Sequence, residues 1–279
     1  MIRTEYEQQE RRLLSPYASL SMQSCGRFRA ETPCDIRTDY QRDRDRIIHC
    51  NAFRRLKHKT QVFLSPQGDH YRTRLTHTLE VAQIARTVAR ALCLNEDLTE
   101  AIAMGHDLGH TPFGHAGERT LDALCSRGFR HNLQSVRVVD HIEKNGAGLN
   151  LTYEVKNGIA CHSGDAPQAQ TLEGRIVRIA DKVAYINHDI EDAVRAGVLR
   201  EADLPYDCVY ILGRTKSARI STIIHSLIAC SDDDIRMAPE VYRAHFRLRE
   251  FMFEAVYRNP AAKQEEGKAQ EIVAALYRH

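Results

Sequence analysis

The chain has 279 residues, of which 43% are hydrophobic and 27% are charged, as is ordinary for a soluble globular protein. This length fits one large domain or two small ones, and it can bury a core that needs no disulfide or structural metal. The formal net charge is only +2, so the whole molecule lacks the composition of a nucleic-acid-binding protein. Any affinity for anions must come from local clusters.

The eight cysteines are scattered, and no C-x-x-C pair indicates a zinc site or a redox motif. We expect reduced thiols, several of them packed in apolar helices as small hydrophobic groups. The N-terminal residues MIRTEYEQQERRLL lack the apolar run of a signal peptide, and no stretch approaches about 18 apolar residues. These features predict a cytoplasmic protein that spans no membrane.

The hydrophobic pattern predicts an all-α fold. Residues 1–45 are polar and irregular, with a short helix near 4–14 and an extended arm to about 40. Beyond them, apolar residues recur every three to four positions, which is the helical period. Almost nothing alternates with period two, although a short ribbon around 60–73 is an alternative. Helices are predicted at 45–60, 74–93, 98–109, 114–127, 132–145, 151–162, 172–197, 203–212, 215–230, 239–257 and 264–278.

The most informative segment is GHDLGHTPFGH at residues 105–115. A His next to an Asp closes an apolar helix there. Positions 102, 105 and 106 share one otherwise apolar face, so His106 is predicted to point inward with Asp107 beside it. Buried titratable groups are costly unless they are paired or bind a metal. The segment therefore indicates a metal site.

Two more candidate ligands lie within other apolar helices, one in RTRLTHTLEVA and one in GRIVRIADKVAYINHDI. Imidazole and carboxylate suit divalent transition metals, and such a set leaves positions open for water and a phosphate oxygen. Each residue alone is more often an ordinary core or surface group, and the His-Asp dipeptide recurs at 188–189. Three apolar helices with inward His or Asp are a stronger signal. The predicted metal ligands are His77, His106, Asp107 and Asp181.

The order of these residues resembles the HD superfamily of metal-dependent phosphohydrolases. Longer segments, at 41–63, 68–86, 105–118, 131–135 and 173–197, resemble the bacterial deoxyguanosine triphosphate triphosphohydrolases. This resemblance spans roughly residues 35–260. The HD dipeptide by itself is a weak motif, whereas GHDLGHTPFGHAGE together with ADKVAYINHDI is highly specific.

The resemblance implies an HD-domain helical bundle with a catalytic metal in its centre. It implies an N-terminal arm at 1–40, the phosphohydrolase domain at 41–260, and a C-terminal helix at 261–279 that packs on this domain. The expected reaction converts a deoxynucleoside triphosphate to the deoxynucleoside and inorganic triphosphate, and dGTP is the expected substrate. The expected cofactor is a divalent ion (Mn, Mg, Fe, Co, Ni or Zn), and the expected assembly is a homo-oligomer, from dimer to hexamer.

Cleavage between the 5′ oxygen and the α-phosphate needs an activated water, charge neutralisation and a proton for the 5′-alkoxide. By resemblance, His115 and His131 lie beside the α-phosphate. We predict His115 as proton donor and His131 as phosphate contact, with the two roles interchangeable. Glu118 is expected to orient His115, and His110 is a further catalytic candidate. The alternative for His131 is that it caps a helix start.

The candidate substrate-binding residues are Arg74, Gln61, Arg55, Lys182, Tyr185 and Asp189. Asp181, Tyr185 and Asp189 are spaced i, i+4, i+8, so they share one helix face. By resemblance, Lys182 and Tyr185 contact phosphate and Asp189 reaches the sugar 3′-hydroxyl. From the residues alone, an alternative is equally good for each: Tyr185 could be a core aromatic residue, and Asp189 could be a solvated charge. Arg74 lies one turn before a predicted metal ligand, and arginine suits bidentate phosphate binding.

A basic run has two interpretations; its members are Arg42, Arg44, Arg46, Arg54, Arg55, Lys57 and Lys59. One is a solvated helix face. The other is a triphosphate funnel, or a site for a regulatory nucleotide or single-stranded DNA. We favour Arg55 near the substrate and the rest on the surface or at a subunit contact.

Two rival functions remain. Another HD enzyme, such as a cyclic-dinucleotide or guanosine tetraphosphate phosphodiesterase, would share the metal ligands, but GHTPFGHAGE argues against it. A non-catalytic module that senses dNTPs or single-stranded nucleic acid is the second rival. The sequence has neither a P-loop pattern nor a G-x-S-x-G motif, which argues against a motor ATPase and a serine hydrolase.

Overall fold

The computed structural model describes residues 2–59, 72–164, 166–257 and 266–279, and within these ranges it contains α-helices and no β-strand. The all-α prediction is confirmed. No helix in the described ranges is long and apolar enough to cross a membrane.

The α-helices are α1 (Arg3–Leu13), α2 (Asp39–Ile48), α3 (Asn51–Arg55), α4 (Arg74–Ala91), α5 (Glu96–Gly105), α6 (Gly114–Leu124), α7 (His131–Arg137), α8 (Tyr153–Cys161), α9 (Leu172–Arg195), α10 (Tyr206–Leu212), α11 (Lys216–Cys230), α12 (Pro239–Met252) and α13 (Glu266–Arg278).

Several helices begin at a side chain that caps their first turn. In each case the side-chain oxygen accepts a hydrogen bond from the backbone N–H three residues later. These caps satisfy N–H groups that a helix start leaves unpaired. The capping residues are Thr38, Thr73, Asn95, Thr171 and Thr215.

The predicted bounds of α4, α9 and α11 agree with the structure to within two residues.

The single helix predicted over 45–60 is wrong, because the chain forms two helices there. The Glu143 carboxylate accepts hydrogen bonds from the backbone N–H of Asn51 at 3.1 Å and of Ala52 at 2.7 Å. This contact from a distant part of the chain starts α3, so no local pattern announced it. The alternative ribbon around 60–73 falls almost entirely outside the described residues.

The centre of the bundle is formed by α4, α5 and α9, with α2 and α8 packed against α5. Two glycines allow α5 and α8 to approach closely. A Cβ on Gly105 would lie 2.5 Å from Ile159 Cδ1, and a Cβ on Gly158 would lie 2.5 Å from Ile102 Cδ1. Each helix therefore inserts an isoleucine against the glycine of the other. This packing brings the C-terminal ends of α5 and α8 together. At the other end of the chain, α13 packs on α6.

Buried polar contacts join the N-terminal arm to the bundle. The Asp43 carboxylate pairs with the Arg27 guanidinium and accepts hydrogen bonds from Thr152 N and Oγ1, both at 2.7 Å. Arg27 also donates to the Asn150 carbonyl at 2.7 Å. Because a buried charge is stable only when paired and hydrogen-bonded, the arm is part of the folded unit.

A buried carboxyl in the first turn of α9 ties the same arm to α5. Glu173 Oε1 accepts hydrogen bonds from the backbone N–H groups of Ser19 and Asn95, both at 3.0 Å. Among the described residues, Oε2 has no hydrogen-bond partner. Burial outweighs these bonds and raises the pKa of Glu173 to about 7.

We expect this carboxyl to make stability depend on pH. Its pKa is about 7 in the folded protein against 4.5 ordinarily, so its contribution is complete below pH 4.5 and is lost as pH rises to about 7. Glu173→Gln removes the titration. At pH 8 the free energy of unfolding of this variant, measured by urea denaturation, should exceed that of the wild type by up to about 3 kcal/mol. Parallel stability curves for the two proteins between pH 5 and pH 8 would contradict this assignment.

Candidate metal centre and histidine cluster

The four predicted metal ligands lie together in the interior. His77 Nε2 lies 3.0 Å from Asp181 Oδ1, and His106 Nε2 lies 3.7 Å from Asp107 Oδ2 and 3.8 Å from Asp181 Oδ1. The ligand atoms of His77, His106 and Asp107 are all within 4.8 Å of one another. Helices α4 and α9 and the end of α5 supply these side chains. The group has the residue types and spacing that can hold a divalent ion.

The orientation of His106 fits a metal ligand. Its Nδ1 lies 2.7 Å from the Ala103 carbonyl oxygen, so this nitrogen carries the proton and Nε2 carries the lone pair. Nε2 is fully buried and has no hydrogen-bond partner among the described residues. A buried acceptor without a partner is costly. A cation between the four side chains would remove that cost.

The surroundings keep both carboxyl groups ionised. Burial alone would raise the pKa of Asp107, but the Arg74 guanidinium, which donates to Asp107 Oδ2 at 2.6 Å, and the nearby imidazoles hold that pKa well below its usual range. Burial also acts to raise the pKa of Asp181, but the hydrogen bond with His77 and the neighbouring imidazoles together outweigh burial and lower that pKa. Both groups are thus carboxylates at neutral pH, the form that binds metal. Arg74 Nε is buried without a hydrogen-bond partner in the described chain.

A second group of imidazoles is held by Glu118. Its Oε1 lies 2.8 Å from His131 Nδ1, and its Oε2 lies 3.1 Å from His115 Nδ1. Burial acts to lower the pKa of His131, but the bond to Glu118 and the Asp107 and Glu118 charges together outweigh burial and raise that pKa. His131 is the first residue of α7 and its ring bonds to Glu118, so it does not cap that helix. The His115 side chain is 70% exposed, which leaves it accessible from solvent.

His110 connects the metal ligands with this cluster. Its ring stacks on the His131 ring with centroids 4.6 Å apart, and ligand atoms of Asp107, His110 and His131 lie within 4.8 Å of one another. Burial, reinforced by the Arg74 charge, holds the pKa of His110 well below its usual value, so the ring is neutral. Its Nδ1 is buried and has no partner among the described residues.

His162 was not predicted as a site residue, yet it is buried between the two groups. It follows α8 as His106 follows α5, and its Nδ1 lies 2.7 Å from the Ile159 carbonyl oxygen. Its Nε2 lies 3.2 Å from His131 Nε2. Burial, with the neighbouring His106, lowers the pKa of His162 to about 4. The signal was present, because Val155, Ile159 and His162 share a helix face.

The basic run was expected to lie on the surface or at a subunit contact, apart from Arg55. This expectation is wrong for Lys59. It is half-buried, and its ammonium donates to the His110 carbonyl at 2.6 Å, which supports the loop after α5. Burial, then the Arg74 charge, lowers the pKa of Lys59 to about 8. Arg42 and Arg46 pair with Glu31 instead of presenting free charges.

Three of the remaining predicted substrate residues lie on α9, one lies at the end of α3, and one is outside the described residues. Tyr185 OH accepts a hydrogen bond from Arg249 Nε at 3.0 Å, and burial raises the pKa of Tyr185 to about 12. Lys182 is half-buried, and Asp189 is buried, so Asp189 is not a solvated charge. Arg55 is exposed at the end of α3. Gln61 lies outside the described residues.

Comparison with known proteins gives matches along most of the chain. Residues 74–186 match the HD domain, and residues 235–279 match the phosphohydrolase-associated domain. A crystal structure of a hypothetical protein from Aquifex aeolicus has a similar fold, with a TM-score of 0.54 at 20% identity. That similarity covers 84% of this chain and 60% of the Aquifex chain.

Two relatives are much closer in sequence. The deoxyguanosinetriphosphate triphosphohydrolase-like protein of Caldanaerobacter subterraneus subsp. tengcongensis is 60% identical, over 99% of this chain and 82% of that protein. The protein of the same name from Desulfatibacillum aliphaticivorans is 53% identical, over 99% of this chain and 83% of its own length. Identity at this level, together with the HD domain, shows that the chain belongs to the family of deoxyguanosinetriphosphate triphosphohydrolase-like proteins.

Proposed function

We propose that the protein uses a divalent metal to hydrolyse deoxynucleoside triphosphates, dGTP in particular, to the deoxynucleoside and inorganic triphosphate. One observation carries this proposal: a buried, unpartnered ligand atom, His106 Nε2, belongs to a metal-ligand group that lies near a histidine pair held by one carboxylate. Asp107 and His110 connect the two groups. The names of the relatives support the choice of substrate.

The residues His77, His106, Asp107 and Asp181 would hold the ion, which we take to be Mn, Mg, Fe, Co, Ni or Zn. When bound, such an ion supplies Lewis acidity and activates water near neutral pH. The protein's part is to keep the four ligands deprotonated. Arg74 serves this purpose at Asp107, and its unpartnered Nε is available for a phosphate oxygen of the substrate.

In the proposed reaction a water oxygen bonds to the α-phosphorus and releases one proton to solvent as the bond from phosphorus to O5′ breaks; this proton replaces, over the turnover, the one that the leaving O5′ takes up. O5′ leaves with a proton as the hydroxyl of the deoxynucleoside, and all three phosphates leave together. We assign proton donation to His115 and contact with the α-phosphate to His131. Glu118 orients both rings because each of its oxygens serves one of them. His110, neutral and with a free Nδ1, is a further polar contact for the reacting phosphate.

The rest of the substrate would lie along α9. We propose that Lys182 and Tyr185 contact the triphosphate and that Asp189 contacts the sugar 3′-hydroxyl. The hydrogen bond from Arg249 fixes the Tyr185 hydroxyl and adds a second cation near Lys182. Gln61 and Arg55 stay predicted substrate contacts.

Product analysis tests the function directly. We expect dGTP and Mn²⁺ to yield deoxyguanosine and inorganic triphosphate in equal amounts, resolved by reversed-phase and ion-exchange chromatography across the four dNTPs. Pyrophosphate with dGMP would contradict cleavage at O5′. Preferential hydrolysis of a cyclic dinucleotide or guanosine tetraphosphate would favour the rival phosphodiesterase. Tight dGTP binding without turnover would favour the sensing module.

Asp107→Ala should remove both the bound metal and the activity, because it deletes one ligand and leaves the buried Arg74 unpaired. The metal that stays with the protein after gel filtration, measured by elemental mass spectrometry, checks this. Asp233→Ala removes an exposed carboxylate and should keep the wild-type metal content. Unchanged metal content in the Asp107 variant would rule out the ligand set.

His115→Ala should keep the metal and lower kcat by about 10²–10⁴-fold, which is the usual contribution of a general acid. The matched control is Arg119→Ala, one turn further along α6 and exposed, which should retain activity. Steady-state release of deoxyguanosine measures both variants. Full activity in the His115 variant would refute its role as proton donor.

A further inference from the structure

We propose that His188 and Glu80 are positioning residues for the metal centre, because together they select the tautomer and the orientation of His77. The sequence predicts neither as a site residue, and His188 enters the sequence analysis only through the second His-Asp dipeptide at 188–189. The inference rests on the metal centre of the proposed function. It goes beyond that function by naming the groups that hold one ligand in its binding form.

The geometry places His188 directly behind His77. His77 Nε2 faces the other ligands, at 3.0 Å from Asp181 Oδ1, while its Nδ1 lies 3.5 Å from His188 Nδ1. The two rings are nearly perpendicular, with centroids 5.6 Å apart and an interplanar angle of 88°. Both side chains are buried. The far side of His188 is equally engaged, because its Nε2 lies 2.5 Å from Glu80 Oε2.

The proton positions along this chain of groups follow from one another. His77 binds a metal through Nε2 only if that nitrogen carries a lone pair, so the proton must be on Nδ1. The neighbouring His188 Nδ1 must then accept that proton's hydrogen bond. We infer that the proton of His188 is then on Nε2, the nitrogen that lies against the Glu80 carboxylate. A carboxylate at one end thus determines which nitrogen of His77 is free at the other.

Glu80 is itself anchored by two cations. Arg72 donates to both carboxylate oxygens, from Nε at 3.0 Å and from Nη2 at 3.3 Å, and Lys216 on α11 lies 3.3 Å from Oε1. These contacts fix the carboxylate in place. The anchor therefore extends from α11 through Glu80 and His188 to a metal ligand.

The crossing of α4 and α9 produces this arrangement. On α4, His77 and Glu80 are three residues apart and share a face. On α9, His188 lies seven residues after Asp181, which is two turns along the same face. Each helix therefore supplies one proposed ligand and one supporting group. The other imidazole ligand, His106, is supported differently, by a backbone carbonyl.

The supporting partner of a metal-bound histidine typically changes metal affinity by about 10–100-fold. We therefore expect His188→Leu to bind Co²⁺ about 10–100-fold more weakly than wild type. His188→Asn should bind closer to wild type, because its Oδ1 can occupy the position of the imidazole Nδ1 and accept from His77. His188→Gln should bind as weakly as the leucine variant, because its amide reaches toward Glu80 but offers no acceptor beside His77.

The experiment is a Co²⁺ titration of the chelator-treated full-length protein, followed by its visible absorption bands. His245→Leu is the control, because it removes another buried imidazole, one that forms no hydrogen bond or ring contact with His77 or His188 within the described residues. This control should lower the melting temperature without changing Co²⁺ affinity. Glu80→Gln should weaken Co²⁺ binding less than His188→Leu, because an amide oxygen can still accept from His188.

The outcomes separate the alternatives. Wild-type affinity in His188→Leu would overturn the proposal. Equal weakening in the asparagine and glutamine variants would show that only packing matters, and would also overturn it. If His188→Leu fails to fold, the ranking of asparagine above glutamine decides. Absence of Co²⁺ binding in the wild type would instead refute the metal centre of the proposed function, and this inference with it.

Discussion

Inside the bundle, the carboxylates of Asp107 and Asp181 lie close to the Nε2 atoms of His77 and His106. Buried carboxylates and an unpaired ring nitrogen lose their hydration, so the arrangement is stable only with buried positive charge or hydrogen-bond donors among them. Arg74 supplies part of that charge at Asp107. His106 Nε2 receives none from the described chain, and this is the atom that most requires a cation. The helix packing described above brings these four side chains into one place.

The histidines that follow two of the helices are oriented by the same kind of hydrogen bond. At the ends of α5 and α8, His106 and His162 each bond through Nδ1 to the carbonyl three residues earlier, both at 2.7 Å. A terminal carbonyl that has no intrahelical partner thereby fixes the tautomer of the ring and directs Nε2 inward. The paired contacts of Gly105 and Gly158 bring these two ends together, with ring centroids 5.0 Å apart.

The histidines of the site divide into two electrostatic groups, and the division suits the proposed reaction. Burial lowers the pKa of His110, His162 and His188, which stay neutral. In His131 the hydrogen bond to Glu118 and the nearby carboxylate charges together outweigh burial, so its pKa is raised and the charged form is favoured. Neutral rings suit a region that offers lone pairs, and a cationic ring suits a site that receives a phosphate.

The apolar period, read from the sequence alone, predicted helices at 74–93, 172–197 and 215–230, and inward His and Asp residues on apolar helices indicated a metal site. Those signals are local, because a helix face needs only a few neighbouring residues. Only the tertiary structure decided that Glu143 starts α3, that His162 joins the cluster and that His188 supports His77. Each of these contacts joins residues about 30 to 110 positions apart. Helix packing creates such contacts, and helix packing has no signature within a single helix.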